Sequence, residues 1–399
     1  MKGSTLFGAL LVTGVTVGMF IAVWNAPPAN SQGMSEMNNS MPGMNMGASP
    51  QNAIPEISAL PESPISTVTR MGGLVMPPGM IMTPDQSMEA MQDMAAVDLG
   101  QVKFTAPANA RGDQPLQPRL VNGVKVFTLE TSLIQWNILP NVQVAAYAIN
   151  RQVPGPRLRV TQGDRVRFIV KNNLPDPTSL HWHGLSVPNA MDGSADVTQK
   201  PIPPGGSFTY EFTVNQAGTF FYHSHKAVDR QQGLGLYGAL IVDPKKPDPA
   251  LKADKEYTLQ LQEWKVAQGY TFPAMPMEGL LPNYFTINGK AYPSTEIVKL
   301  KVGQTVRLRF IGSQNNFIHP MHIHGGPFTV AAIDGETLAP AARYKADTIN
   351  VGPGQRYDVL WKATKKGTWL IHCHIPHHIT NNNEEVAGGG GLTMAIVVE

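Results

Sequence analysis

Residues 371–378 read Ile371-His372-Cys373-His374-Ile375-Pro376-His377-His378, and Cys373 is the only cysteine in the 399-residue chain. Thr368, Trp369, Leu370 and Ile371 lead into this run and predict an extended strand, in which side chains alternate between faces at period two. His372 and His374 then point one way and Cys373 the other. A sulfur on one face and two imidazoles on the opposite face can ligate two separate metal centres joined by a few backbone atoms, which is a short covalent path for electrons.

Working outward, the chain has room for two or three domains of ordinary size, at roughly 150 residues each. Its 31 basic and 29 acidic residues leave a net charge of +2, which gives no basis for a nucleic-acid partner. Gly 38 and Pro 34, with short runs of Val, Thr, Tyr and Phe, predict many short strands and tight turns, hence an all-β protein. One cysteine forbids an intramolecular disulfide, so a core or metals must hold the fold.

Residues 1–31 carry one lysine, then an uncharged apolar stretch from Leu6 to Val23, then Ala29-Asn30-Ser31, a loose match to a cleavage site. This is a signal peptide or a membrane anchor, and either places the body of the protein outside the cytoplasm, in a periplasm or extracellularly. Residues 32–118 form a methionine-rich, largely irregular region. Twelve of the 19 methionines fall in two groups, Met34, Met37, Met41, Met44, Met46 and Met71, Met76, Met80, Met82, Met88, Met91, Met94. Such a stretch reads either as a flexible linker or, because thioethers are soft ligands that select Cu(I), as a copper-handling segment. Around Met88 and Met91, the acids Asp85, Glu89 and Asp93 leave a short helix open as an alternative to irregular chain.

From residue 119 the sequence repeats itself. Leu158 to Asn173 matches Leu300 to Asn315 in kind and order, His181-Trp182-His183-Gly184 pairs with His322-Ile323-His324-Gly325, and Pro204 to His225 aligns without a gap on Pro353 to His374. Gly235 to Val242 matches Gly391 to Val398. Two homologous β-domains follow, 119–248 and 249–399, each of a length suited to a Greek-key sandwich.

All eleven histidines lie in four short groups: His181 and His183; His223 and His225; His319, His322 and His324; His372, His374, His377 and His378. Strand alternation puts both members of each His-x-His pair on one face, so four strands can bring eight imidazoles to one metal-binding pocket. The second repeat also holds what the first lacks. Opposite Cys373, His378, His319 and Met394 stand Ser224, Asp229, Thr178 and Gly238. Two imidazoles, a thiolate and a thioether are the ligand set of a blue-copper electron-transfer centre, so one such centre is expected, in the second domain. Leu392 is the alternative to Met394, because the Asn- and Gly-rich loop before it allows the register to slip.

His181-Trp-His-Gly184, Phe221-Tyr-His-Ser-His225, His319-Pro-Met-His-Ile-His-Gly325 and His372-Cys-His-Ile-Pro-His-His378 together resemble the four copper motifs of the multicopper oxidases. The resemblance spans everything after the methionine-rich region and implies tandem cupredoxin-like sandwiches. Carried over position by position, it makes His319, Cys373, His378 and Met394 the type 1 copper ligands, and His181 and His322 the type 2 ligands. His183, His223 and His374 would then hold one type 3 copper and His225, His324 and His372 the other, four coppers per chain, with His377 left over. Asp192 matches the acid that the family places beside its type 2 copper; the other reading is a turn-forming Asp-Gly. A middle domain is absent, as in the two-domain, laccase-like members. The resemblance therefore implies a homotrimer with each cluster closed between neighbouring chains.

The expected activity is one-electron oxidation of a reductant, Cu(I) or a phenol, with Mn(II) or Fe(II) remaining open, coupled to reduction of O2 to water. A copper nitrite reductase is also a trimer of paired β-domains, but it needs its electron-transfer copper in the first domain and a three-histidine catalytic site. A copper-sequestering resistance protein without turnover is the alternative from another class.

Overall fold

Val124–Leu139 is the strand on which the first repeat is built. Its first half runs parallel to Arg165–Asn172, with Val124 opposite Arg165 and Glu130 opposite Lys171, and its second half runs antiparallel to Val142–Ile149. Lys255–Ala267 does the same in the second repeat, parallel to Thr305–Gly312 and antiparallel to Tyr284–Ile287. The internal homology of the sequence is thus a homology of strand pairing. This computed structural model describes residues 67–80, 86–386 and 388–399. The expected signal or anchor over 1–31, Met34 to Met46 and Met82 lie outside the described residues. Among those described, no helix is long and apolar enough to cross a membrane.

The protein is all-β, two tandem Greek-key sandwiches. In the first, the sheet around Val124–Leu139 faces a four-stranded sheet in the order Leu158–Thr161, Tyr237–Asp243, Gly218–Ser224, Leu180–His183. Trp182, fully buried between two half-exposed histidines, is the inward residue of its strand and stacks on Phe168 of the opposite sheet with ring centroids 4.1 Å apart. Each large apolar side chain buried in this way contributes about 1.5–3 kcal/mol, and the same alternation that buries Trp182 presents His181 and His183 on the outer face. In the second domain the sheet around Lys255–Ala267 faces a five-stranded sheet in the order Val298–Leu300, Thr393–Val398, Gly367–Cys373, His319–Ile323, Thr348–Val351. Phe310, Trp361, Ile371, Cys373 and Met394 share its core.

The two domains meet where Gly218–Ser224 lies against Thr305–Gly312 and Arg356–Lys362. Phe221, Ala239 and Ile311 form the apolar part of this seam. Beside them, the buried Arg309 donates to Asp358 (2.7 Å), Glu256 (2.7 Å) and the Thr219 hydroxyl (2.6 Å), and Thr219 donates to Asp358 (2.6 Å).

Part of the methionine-rich region is regular. Thr69–Met71 and Leu74–Met76 form a hairpin, and Met88–Met94 is a helix whose N-cap, Ser87, accepts from the Ala90 amide at 3.1 Å. The buried Met76 and Met94 pack with Leu280, and the half-buried Met80, Met91 and Met275 close around them. Thioether side chains here fill an irregular gap, and Arg230 of the first domain holds the end of the helix through the Ala95 carbonyl at 2.6 Å.

Candidate metal centres

Gly367–Cys373 pairs with His319–Ile323 so that Met321 faces Cys373 and His322 faces His372. Cross-strand partners share a face, so Met321 and Cys373 go to the core together and His322 and His372 to the other side. On the core side, the short helical turn Pro376–Ile379 returns the chain. Cys373 Sγ then lies 3.8 Å from His319 Nδ1 and 3.6 Å from His378 Nδ1, with the two nitrogens 3.0 Å apart. All three residues are buried. Phe285 stacks on His378 at 4.3 Å and Phe317 lies at 5.2 Å.

Burial, then the neighbouring imidazoles of His319 and His377, pushes His378 down to about 3, so its ring is neutral and its lone pair free. Burial pushes the Cys373 thiol up to about 12. A soft cation is what converts such a thiol to the thiolate ligand. The donor set, one sulfur and two imidazoles converging in an apolar pocket, fits copper of the electron-transfer kind.

Met394 stands opposite Ile371, as Gly238 stands opposite Tyr222, so it occupies the register position predicted from the repeat and lies on Cys373's face. Leu392 is on that face too, its carbonyl accepting from the Cys373 amide at 3.0 Å. Both are buried.

The matching position of the first domain is filled by hydrogen bonds. Gln231 Oε1 accepts from Thr178 (2.7 Å) and Ser224 (2.6 Å), and its amide donates to the Pro177 carbonyl at 2.8 Å. The repeat pointed to Asp229 as the counterpart of His378, but the side chain that closes the space is Gln231, two residues on.

On the outer faces the remaining histidines gather by domain. His181 has ring centroids 5.8, 5.4 and 5.6 Å from His183, His223 and His225. In the second domain, His322 lies 5.1, 5.6 and 5.8 Å from His324, His372 and His374. The eight do not share one pocket within a chain: among the described residues no ring contact joins the two quartets. The physical reason is the seam, because Gly218–Ser224 packs on the second domain's other sheet, away from the strands of His322 and His372.

Backbone carbonyls fix the tautomers. His181 and His322 offer Nδ1 to the carbonyls of Asp192 (2.8 Å) and Asp347 (2.7 Å), and His223 and His372 to those of Ser224 (2.9 Å) and Cys373 (2.8 Å). A carbonyl only accepts, so each Nδ1 carries the proton and each Nε2 is left as a metal donor. His183 Nδ1 faces His223 Nε2 at 3.2 Å, and His324 Nε2 faces His372 Nε2 at 2.9 Å. Such spacings suit two donors on one ion, given metal–nitrogen bonds of about 2.0–2.1 Å. Burial, then Arg356, holds His183 down to about 3, and burial keeps His223, His324 and His372 below their ordinary values. The Asp192 carboxylate is 3.5 Å from His181 Nδ1 and accepts from Ser194 at 2.6 Å. His377 is exposed, edge-on to Phe285 at 6.0 Å.

Two family models described as multicopper oxidase match residues 130–247 and 261–382. The chain belongs to the multicopper oxidase family. A solved blue copper oxidase from Nitrosomonas europaea is 34% identical with a TM-score of 0.64, covering 69% of this chain and 86% of that one. Multicopper oxidase MmcO of Mycobacterium tuberculosis is 32% identical over 54% of this chain and 48% of its own length. A copper resistance protein A homolog of Pseudomonas syringae is 29% identical over 62% of this chain and 48% of its own. This multicopper oxidase thus spans about half the length of the curated relatives it matches.

Sequence reasoning missed Glu263. Its buried carboxylate accepts from the Phe317 amide (2.9 Å) and the Asn316 side chain (2.8 Å) and sits 3.3 Å from His319 Nε2. An acid within the apolar strand Lys255–Ala267 was the available signal.

Proposed function

We propose that in this multicopper oxidase His319, Cys373, His378 and Met394 would hold a type 1 copper, at which a reductant would give up single electrons, and that the remaining histidines would hold a trinuclear cluster at which O2 would be reduced to water. His181 and His322 serve the type 2 position; His183, His223 and His374, and His225, His324 and His372, serve the type 3 pair. When bound, the four coppers supply the one-electron steps that together make up the four-electron reduction of O2. The protein's part is to aim the imidazoles, to join the two centres through Cys373 and its neighbours His372 and His374, and to bring protons. Asp192, beside His181, delivers or orients them.

One observation carries this reading: residues 372–374 direct sulfur toward His319 and His378 and imidazole toward His322 and His324. The separation of the quartets within one chain supports closure of each cluster between domain 1 of one copy and domain 2 of the next, in a ring of three. A monomer in solution with full copper content and full activity would sink that closure.

For the reductant we favour Cu(I). Met275, which packs with Met76, Met80, Met91 and Met94, follows Ala274, whose carbonyl accepts from Asn316 at 2.8 Å. Asn316 and Phe317 lead directly into His319, so a soft-donor cluster lies a few residues from the electron-accepting centre. The apolar stretch Leu6 to Val23 supports an exported protein, by cleaved signal or by anchor. Oxygen uptake with Cu(I) and with a phenol, before and after Met80→Leu and Met91→Leu, tests the assignment. A fall in Cu(I) uptake in the double variant with phenol uptake unchanged supports it, and unchanged Cu(I) uptake overturns it. Copper-loaded protein that consumes no O2 with either reductant establishes sequestration instead.

A further inference from the structure

We propose that Arg356 is a positioning residue for the cluster, bracing the Pro353–Gly354 turn of domain 2 against His183 of domain 1 in the same chain. The inference rests on the reading of His183 as a cluster ligand. His183 touches two walls. Phe221 stacks on it at 4.5 Å with an interplanar angle of 27°. The second is Gly354, at φ +79°, where an added Cβ would lie 2.9 Å from His183 Cε1 and 3.2 Å from Nε2. With the Cε1–Nε2 edge at Gly354, the ring turns its Nδ1 to His223.

Arg356 sets the second wall. Its guanidinium is buried and donates to three carbonyls on three segments: Gly354 (Nη1, 2.6 Å), Asp334 (Nη2, 2.8 Å) and Thr219 of domain 1 (Nε, 3.3 Å). The same group packs under Gly184, the residue after His183, so closely that a Cβ there would fall 2.4 Å from Nη2. One planar fork therefore fixes the turn that touches the imidazole and the backbone that follows it. Lysine has three donors, but all radiate from one nitrogen and cannot reach three acceptors spread around a planar fork. Domain 2 would thus serve two clusters: His322, His324, His372 and His374 contribute ligands to one, while Gly354 and Arg356 form the rear wall of another, that of their own chain's domain 1.

The test compares Arg356→Gln, Arg356→Lys and Gly354→Ala with the parent as copper-loaded full chains. It reads the near-ultraviolet band of the coupled copper pair, the blue band of the Cys373 site, and cluster copper retention against a chelator. Gly354→Ala leaves the guanidinium intact while crowding the ring and straining the turn at φ +79°, so it displaces the turn against His183 without loss of a buried cation. The expected result is a weakened near-ultraviolet band and cluster copper held ~10- to 100-fold less tightly in Arg356→Gln and Gly354→Ala. The blue band should be unchanged and the Lys variant intermediate. Two results overturn the proposal: both variants keeping the parent's near-ultraviolet band and retention, or both losing the two bands together, which would make Arg356 a support of the fold alone. A parent that itself lacks the near-ultraviolet band refutes instead the reading of the cluster.

Discussion

Copper-free protein should lose stability in mild acid through His378, and the size of the loss follows from its burial. An unfolded imidazole titrates near 6.5, whereas burial and the facing imidazoles bring the folded His378 down to about 3. The folded state therefore binds fewer protons, and the stability that His378 confers is fully present above pH 6.5 and is lost as pH falls toward 3. At pH 5 the unfolded group is almost fully protonated and the folded group almost fully neutral, a difference of about 2 kcal/mol relative to pH 7. A folded value one unit higher would scarcely change this figure, because it would still lie below the pH of the measurement. The perturbation is His378→Phe, which keeps a flat ring against Phe285, and the assay is denaturant unfolding of copper-stripped parent and variant at pH 7 and pH 5. The parent should lose about 2 kcal/mol more than the variant across that interval, roughly 4–8 °C in Tm. Equal losses in the two proteins would refute the argument, since His378 would then be free to protonate in place.

Cys373→Ser should abolish the blue absorption while cluster copper remains, checked by optical spectrum and copper count; retained colour would mean that another side chain supplies the sulfur or that none is needed. His322→Ala, on the opposite face, should keep the blue band and stop O2 reduction in an oxygen electrode. Asp358→Asn should cost about 3–5 kcal/mol in denaturant unfolding, because it removes the buried carboxylate that Arg307 and Arg309 share at the seam between the domains and leaves Arg309 only Glu256.

How much of this was legible in the sequence depended on whether a feature was local or repeated. The period-two alternation at His372-Cys373-His374 is a property of any extended chain, so the opposed directions of sulfur and imidazole could be read from three residues. The pairing of His181 with His322, and of Gly238 with Met394, could be read because the chain contains its own second copy, and the structure gives both members of each pair the same register. The helix at Met88 to Met94 remained one of two alternatives, because seven residues with a single capping serine fall well short of the roughly 12–15 below which tertiary packing decides. What escaped were contacts that no spacing encodes. Gln231 fills the first domain's copper position from a helical turn of its own, Glu263 reaches His319 from a strand 56 positions earlier in the chain, and Met275 joins methionines nearly two hundred residues before it.

The same distinction explains why the first domain lacks the donor set of a blue centre even though it repeats the strands of the second. A metal site fails when its space is taken by groups that satisfy one another, and here that has happened twice. The amide of Gln231 ties Thr178 and Ser224 together at hydrogen-bonding distance, and the Tyr222 phenol occupies the axial side, where a Cβ on Gly238 would lie 2.3 Å from its oxygen. Replacing Ser224 by cysteine alone would therefore add a thiol facing a carboxamide and would leave the hydroxyl of Thr178 where an imidazole is required. On the proposed assignment, copper specificity resides less in the sandwich, which both halves share, than in four side chains of one half and in the polar plug that closes the other.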